Sequence, residues 1–435
     1  MVVYWVTPAS YTGSSMNRAA TSPHHVASRG KLMATLFTAQ VCGSTGHSIG
    51  MAVGSIMAAG ITGTNTWSGL PVAVGALGTA LASWPLARLM DRSGRRPGLV
   101  LGYALSVGGA ALGIVGMMTR SFPLLLVGMA LFGIAQTSNL LARYAAADVS
   151  PGTQRGRAMG LIVWGSAVGS LVGPNLMEPA VRAGAYLDLS PAASAFLISL
   201  AGYGLAAILV EIFLRPDPLA IARRQENVGG RGPAERARSL GGILGDLRVQ
   251  LALATLTISQ FVMISTTSTS PVYLHDHGYS VGAIGIAVSL HLGGMYVTSP
   301  LSGWLSDRAG RLPTIGAGAL VLIGAVTLAG FAPGTDRVLV IGALFLNGVG
   351  WNLAFVSGSA LLTDALSPAK RASTQGLADL FMGMMGAFGS AAGGMILGVW
   401  GFAILNTLGA ALVLGPLALS LLRWPAITAL STGEG

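Results

Sequence analysis

Six ionisable side chains interrupt the long apolar stretches of this 435-residue chain: His47, Arg143, Glu178, Glu211, His291 and Asp379. A charge held out of water is costly, so such groups usually face a cavity, a partner or a transport path. Asp379 falls about 12 Å into its segment if that segment is helical. A carboxylate in such a place can take up or release a proton as its surroundings change. His47 and His291 lie near mid-segment, and imidazole titrates near neutral pH. Either histidine alone could instead be a hydrogen-bonded structural group. Glu211 precedes Arg215 by one helical turn, which makes a local pair. Glu178 falls at a segment end, where water can reach it, and Arg143 lies close enough to a charged loop to join it. No HExxH, CxxC or P-loop spacing occurs, and neither a metal site, a cofactor nor a catalytic nucleophile is expected. An enzyme is not the expected class.

The elements that would hold these residues are membrane helices. Hydrophobic residues make up 52% of the chain and charged ones 9%, and the mean hydropathy is +0.67. Soluble domains carry roughly 25% charged residues, so a bilayer is the solvent that suits this composition. Sixty-three glycines fit helices that approach closely in lipid. The net charge of +10 is dispersed over short loops and does not point to nucleic acid. Cys42, the one cysteine, cannot form an intramolecular disulfide.

Apolar stretches long enough to cross a bilayer as helices recur near 33–60, 67–90, 97–118, 122–146, 156–178 and 193–214. A second set falls near 249–274, 281–305, 313–332, 336–363, 371–397 and 400–422. With both termini cytoplasmic, every lysine and arginine except Arg120, Arg182 and Arg337 falls on the cytoplasmic side, as membrane topology favours. The expected organisation is a cytoplasmic tail (1–31), six spans (32–214), a basic cytoplasmic linker (215–248), six further spans (249–423) and a second tail (424–435).

Between the second and third spans lies ARLMDRSGRR, Ala87 to Arg96, and GWLSDRAGRL, Gly303 to Leu312, lies between the eighth and ninth. Asp91, Arg92, Gly94 and Arg95 correspond to Asp307, Arg308, Gly310 and Arg311 at a constant offset of 216 residues. The offset continues: Asp148, Arg155 and Gly160 map onto Asp364, Arg371 and Gly376. The chain is therefore an internal repeat of two six-span halves.

The loop pattern resembles the signature loop of the major facilitator superfamily of transporters. The second copy matches it from Gly303 onward, and the first departs at Ala87. The resemblance covers about residues 32 to 423. It implies an all-α membrane fold of twelve helices in two pseudo-symmetric six-helix bundles. It also implies that Asp91 docks on the eleventh span and Asp307 on the fifth, latching the cytoplasmic side, with Arg92, Arg95, Arg308 and Arg311 completing a charge network with Asp148 and Asp364. In the fifth span Gly160, Gly169, Gly173 and Pro174 are similar to the superfamily's antiporter motif, although Met177 and Glu178 stand in place of its trailing glycines. Glycines at such spacing also serve plain helix packing, and a proline removes a backbone bond and bends a helix.

Polar stripes mark where a central cavity would lie. Gln40, Ser44, His47 and Ser48 line one face of the first span, Gln136, Asn139 and Arg143 of the fourth, Gln260 and Thr267 of the seventh, and Trp351, Asn352 and Ser359 of the tenth; His291 lies on the eighth. The resemblance places spans 1, 4, 7 and 10 around that cavity. With Asp379, the residues Gln40, His47, Gln136, Asn139, Arg143, Gln260, His291 and Asn352 are the candidate substrate and proton site. The reading is a secondary transporter of the inner or plasma membrane, monomeric, working by alternating access and exporting a small organic molecule against protons. A proton symporter or uniporter for uptake is the alternative, and a membrane sensor or embedded enzyme a remote one.

Overall fold

The computed structural model describes residues 23–63, 67, 70–228, 245–368 and 370–422, and among these all regular structure is helical. The first half holds α1 (Pro23–Thr62), α2 (Leu70–Ser93), α3 (Arg95–Met118), α4 (Phe122–Asp148), α5 (Arg155–Asn175), a short α6 (Met177–Ala185) and α7 (Pro191–Phe213). Helix α8 (Pro218–Val228) follows. The second half holds α9 (Leu247–Asp276), α10 (Val281–Tyr296), α11 (Ser299–Arg308), α12 (Arg311–Phe331), α13 (Arg337–Ala365) and α14 (Arg371–Leu422). Among the described residues nine helices are long and apolar enough to cross a membrane, α10 and α11 counting as one. The 52-residue α14 carries two spans joined at Gly401, whose φ of 83° breaks the helix without a loop. With the 40-residue α1 and with α5, which meets α6 at a bend of 54°, this is the twelve-helix fold.

Two boundaries differ from the sequence reading. Helix α1 starts at Pro23, ahead of the expected limit at residue 32. The linker begins with an ordered helix whose Leu219 and Ala222 are buried against the first half. Residues 1–22, 229–244 and 423–435 lie outside the described residues.

The halves meet along two helix pairs related by the repeat, α2 with α14 and α5 with α11. A methyl group on Gly160 would collide with the Ser299 carbonyl, and one on Gly303 with the Gly156 carbonyl, so α5 and α11 touch backbone to backbone. Gly94 and Gly310 end the signature loops at φ 102° and 100°, a region that side-chain-bearing residues avoid. That turn lets α3 and α12 start immediately after α2 and α11, which leaves each loop's aspartate beside the opposite half.

Candidate functional site

Each signature aspartate caps a helix of the other half. Asp91 accepts from the backbone N–H groups of Ala372 and Ser373 at 2.9 and 2.7 Å. Asp307 accepts from Gly156 and Arg157, both at 2.8 Å. The first amides of a helix have no partner within it and sit at the positive end of its dipole, so a carboxylate there satisfies both needs.

Behind each cap is a triad that also crosses between halves. Asp148 is held by Arg95 Nε and Arg371 Nη1, each at 2.8 Å, with all three side chains at most 2% exposed. Asp364 is held by Arg311 Nε at 3.0 Å and Arg155 Nη1 at 2.6 Å, with exposures of 13–31%. Arg311 also reaches Asp307 at 2.6 Å. Arg155 and Arg371, absent from the expected network, thus supply the cross-half ion pairs; they are repeat partners, and that register was their signal. Arg92 and Arg308 do not join. Arg92 is exposed and has no ion pair with a described residue, and Arg308 lies over the Trp304 ring at 5.3 Å. Each follows its loop's aspartate directly, about 100° further round the helix, and so does not share that aspartate's face.

Deeper in the interface lies a second cross-half contact. Arg143 on α4 pairs with Asp379 on α14 at 2.5 Å, both side chains 1% exposed. Its Nε donates to Ser359 Oγ at 3.2 Å, its Nη2 to Tyr144 OH at 2.9 Å and its Nη1 to the Leu140 carbonyl. The guanidinium also lies over the Tyr144 and Phe355 rings at 4.2 and 4.4 Å. Asp379 Oδ1 is used by Arg143, while the buried Oδ2 has no partner among the described residues. Arg143 therefore belongs to this pair, too deep on α4 to reach the loop charges.

The remaining candidates are used within their own halves. Gln40 donates to Ser166 at 2.8 Å. His47 stacks on Phe132 and lies 3.4 Å from Tyr203 OH. Asn139 accepts from Tyr103 OH at 2.9 Å and donates to Gln136 at 3.3 Å. Gln260 accepts from Trp351 Nε1 at 2.7 Å. His291 Nδ1 meets the Leu344 carbonyl at 2.9 Å, which can only accept, so Nε2 accepts from Thr267 at 3.2 Å. Asn352 donates to the Met295 carbonyl and Ser299. The nine candidates do not converge on one cluster; two of them, Arg143 and Asp379, face each other across the halves.

Of the fifth-span glycines, Gly160 faces α11, while Gly169 and Gly173 lie against α1. The side chain of Pro174 lies outside the described residues. Glu178 pairs with Arg182 at 3.5 Å on an exposed surface, and Glu211 with Arg215 at 2.9 Å.

A group that sequence reasoning passed over is Asp217, just after α7. It accepts from Arg95 N–H at 3.1 Å and Arg96 N–H at 2.8 Å, and also from Leu219 N–H at the start of α8. From α8, Arg223 donates to the Asp91 carbonyl.

A twelve-helix chain of two repeated halves, with reciprocal carboxylate caps, can be compared with known proteins. The Major Facilitator Superfamily profile matches residues 36–285 and 251–429. The chain belongs to this superfamily. Among its relatives is YdeG of Bacillus subtilis (strain 168), described as an uncharacterized MFS-type transporter, 34% identical over 391 residues, 87% of this chain and 89% of that protein. The riboflavin transporter RfnT of Brucella anthropi is 28% identical over 403 residues, 89% of this chain and 94% of its own length. The proton:xylose symporter XylE shares the fold at a TM-score of 0.73 and 16% identity, covering 92% of this chain and 96% of that one. The protein is thus a multi-pass membrane transporter of small molecules and not an enzyme.

Proposed function

We propose that this transporter couples its conformational cycle to protons through the Arg143–Asp379 pair and exports a small organic molecule in exchange for them. The observation that carries the reading is that this fully buried pair joins the two halves. Opening the interface on the signature-loop side would pull Arg143 from Asp379 and leave a bare carboxylate in an apolar setting, which is strongly unfavourable. A proton on Asp379 removes that obstacle. Its unpartnered Oδ2 is the atom that can receive it without first displacing Arg143. The signature-loop face is read as cytoplasmic, with both termini on that side, because the unpaired loop arginines gather there.

Export rests on the likeness of Gly160, Gly169, Gly173 and Pro174 in the fifth span to the superfamily's antiporter motif. The neutralised site suits a substrate with little net charge. The relative RfnT makes an aromatic heterocycle a reasonable first compound to try.

The test uses everted vesicles acidified by respiration, with a fluorescent ΔpH probe and a panel of candidate substrates. Substrate-dependent loss of ΔpH that disappears in Asp379→Asn supports proton antiport through this pair. Loss that persists in the variant removes Asp379 from the coupling. Acidification that deepens with substrate overturns export in favour of symport.

A further inference from the structure

Helix α14 is fastened to the first half four times in its first nine residues. Arg371 reaches Asp148, the Ala372 and Ser373 amides reach Asp91, Gln375 meets Arg95, and Asp379 meets Arg143. Gln375 and Asp379 are one turn apart and so share a face of the helix.

Gln375 also closes a path between the deep pair and the loop triad. Arg143 donates to Ser359, and Ser359 offers its carbonyl to Thr363 Oγ1 at 2.8 Å. Thr363 Oγ1 accepts from Gln375 Nε2 at 2.9 Å, and Gln375 Oε1 accepts from Arg95 Nη2 at 2.7 Å. Arg95 then holds Asp148. The Gln375 amide has one possible orientation, because a flip would set its NH2 against the Arg95 donors and its oxygen against a hydroxyl already committed to Ser359. Gln375, Thr363 and Ser359 are fully buried, so water offers no substitute partners.

The path exists on one side alone. The repeat counterparts of Gln375, Thr363 and Asp379 are Met159, Ala147 and Val163: two have no polar side-chain atom, and the Met159 sulfur is only a weak acceptor that cannot donate as the Gln375 amide does. A feature inherited merely from the repeat would appear twice.

We infer that Gln375, seated by Thr363, is a positioning residue that transmits the state of the Arg143–Asp379 pair to the Arg95–Asp148–Arg371 latch. This rests on the proton-coupling reading above. Neutralising Asp379 frees the second turn of α14 and Arg143 with it. The shift at Ser359 and α14 then draws Gln375 off Arg95, which loosens the latch. The charged and titratable groups around Asp379 are Arg143 and Tyr144 from α4 and, at longer range, Arg95 from α3.

The full-length chain in lipid nanodiscs, with Cys42→Ser, can carry spin labels through Ser93→Cys and Ala309→Cys, two exposed repeat-related positions on the signature-loop face. The distance distribution between them reports opening of that face. Asp379→Asn is expected to raise the open-to-closed ratio about tenfold, a shift of the size that contacting residues exchange. Adding Thr363→Val or Gln375→Ala should cut that rise to under about twofold, whereas Thr363→Ser, which keeps the hydroxyl, should preserve it. A merely structural role would shift the baseline but leave the Asp379→Asn effect undiminished, and that result overturns the inference. No response to Asp379→Asn in the otherwise unchanged chain overturns the proton-coupling reading, and the relay with it.

Discussion

Arg143 donates a hydrogen bond to Ser359, and Ser359 is its own counterpart in the second half, 216 residues on. A residue that touches its repeat mate must lie on the pseudo-two-fold axis relating the halves. The Arg143–Asp379 pair therefore sits at the centre of the molecule's symmetry while breaking it, since the axis places Val163 opposite Asp379.

Removing one member of this pair should hurt more than removing both. Arg143→Met alone leaves a buried carboxylate uncompensated and should lower stability by about 3–5 kcal/mol. Arg143→Met combined with Asp379→Leu should recover most of that loss. Thermal unfolding in detergent, single against double variant, checks the order.

The two triads are equal in sequence but not in burial. Asp148→Asn strands two fully buried arginines and should cost about 3–5 kcal/mol. Asp364→Asn, at a partly solvated site, should cost about 1 kcal/mol or less. Equal shifts in unfolding temperature would contradict the burial difference.

Gly94 and Gly310 share a positive φ, but only Gly94 has a carboxylate packed over it, at 2.5 Å from where a Cβ would stand. Gly310→Ala should cost about 1–3 kcal/mol from backbone strain. Gly94→Ala adds displacement of Asp217 and loss of its caps on α3, about 1 kcal/mol further. Paired unfolding measurements read the difference.

His291→Ala should destabilise the second half by about 1–3 kcal/mol, because it strips partners from the Leu344 carbonyl and Thr267. Protons moved per substrate should be unchanged, since both ring nitrogens are already committed within that half. Vesicle ΔpH measurements normalised to substrate flux test this.

The repeat and the span pattern were legible in the sequence because each shows in a one-dimensional signal, an offset or an apolar run, whereas the helices on which the two loop aspartates dock came from the family resemblance. The joining residues were harder to find. Arg155 and Arg371 lay in register but read as charges that set topology, because their partners come from the other half. Gln375 and Thr363 are uncharged, and nothing in their neighbourhoods separates them from polar residues that bond their own helix. The candidates His291, Asn352 and Asn139 showed the converse problem. A polar residue in an apolar helix signals that some partner exists, and here the partner was the adjacent helix.

Asp217 serves the start of α3 and the start of α8 with one carboxylate, which has a practical bearing on where this polypeptide can be divided. A version expressed as two separate pieces and left to reassemble should be cut after Val228, so that the α8 segment stays with the piece whose signature loop it grips. A cut at residue 215 would assign that segment to the wrong fragment, and the reassembled transporter would begin its third helix uncapped.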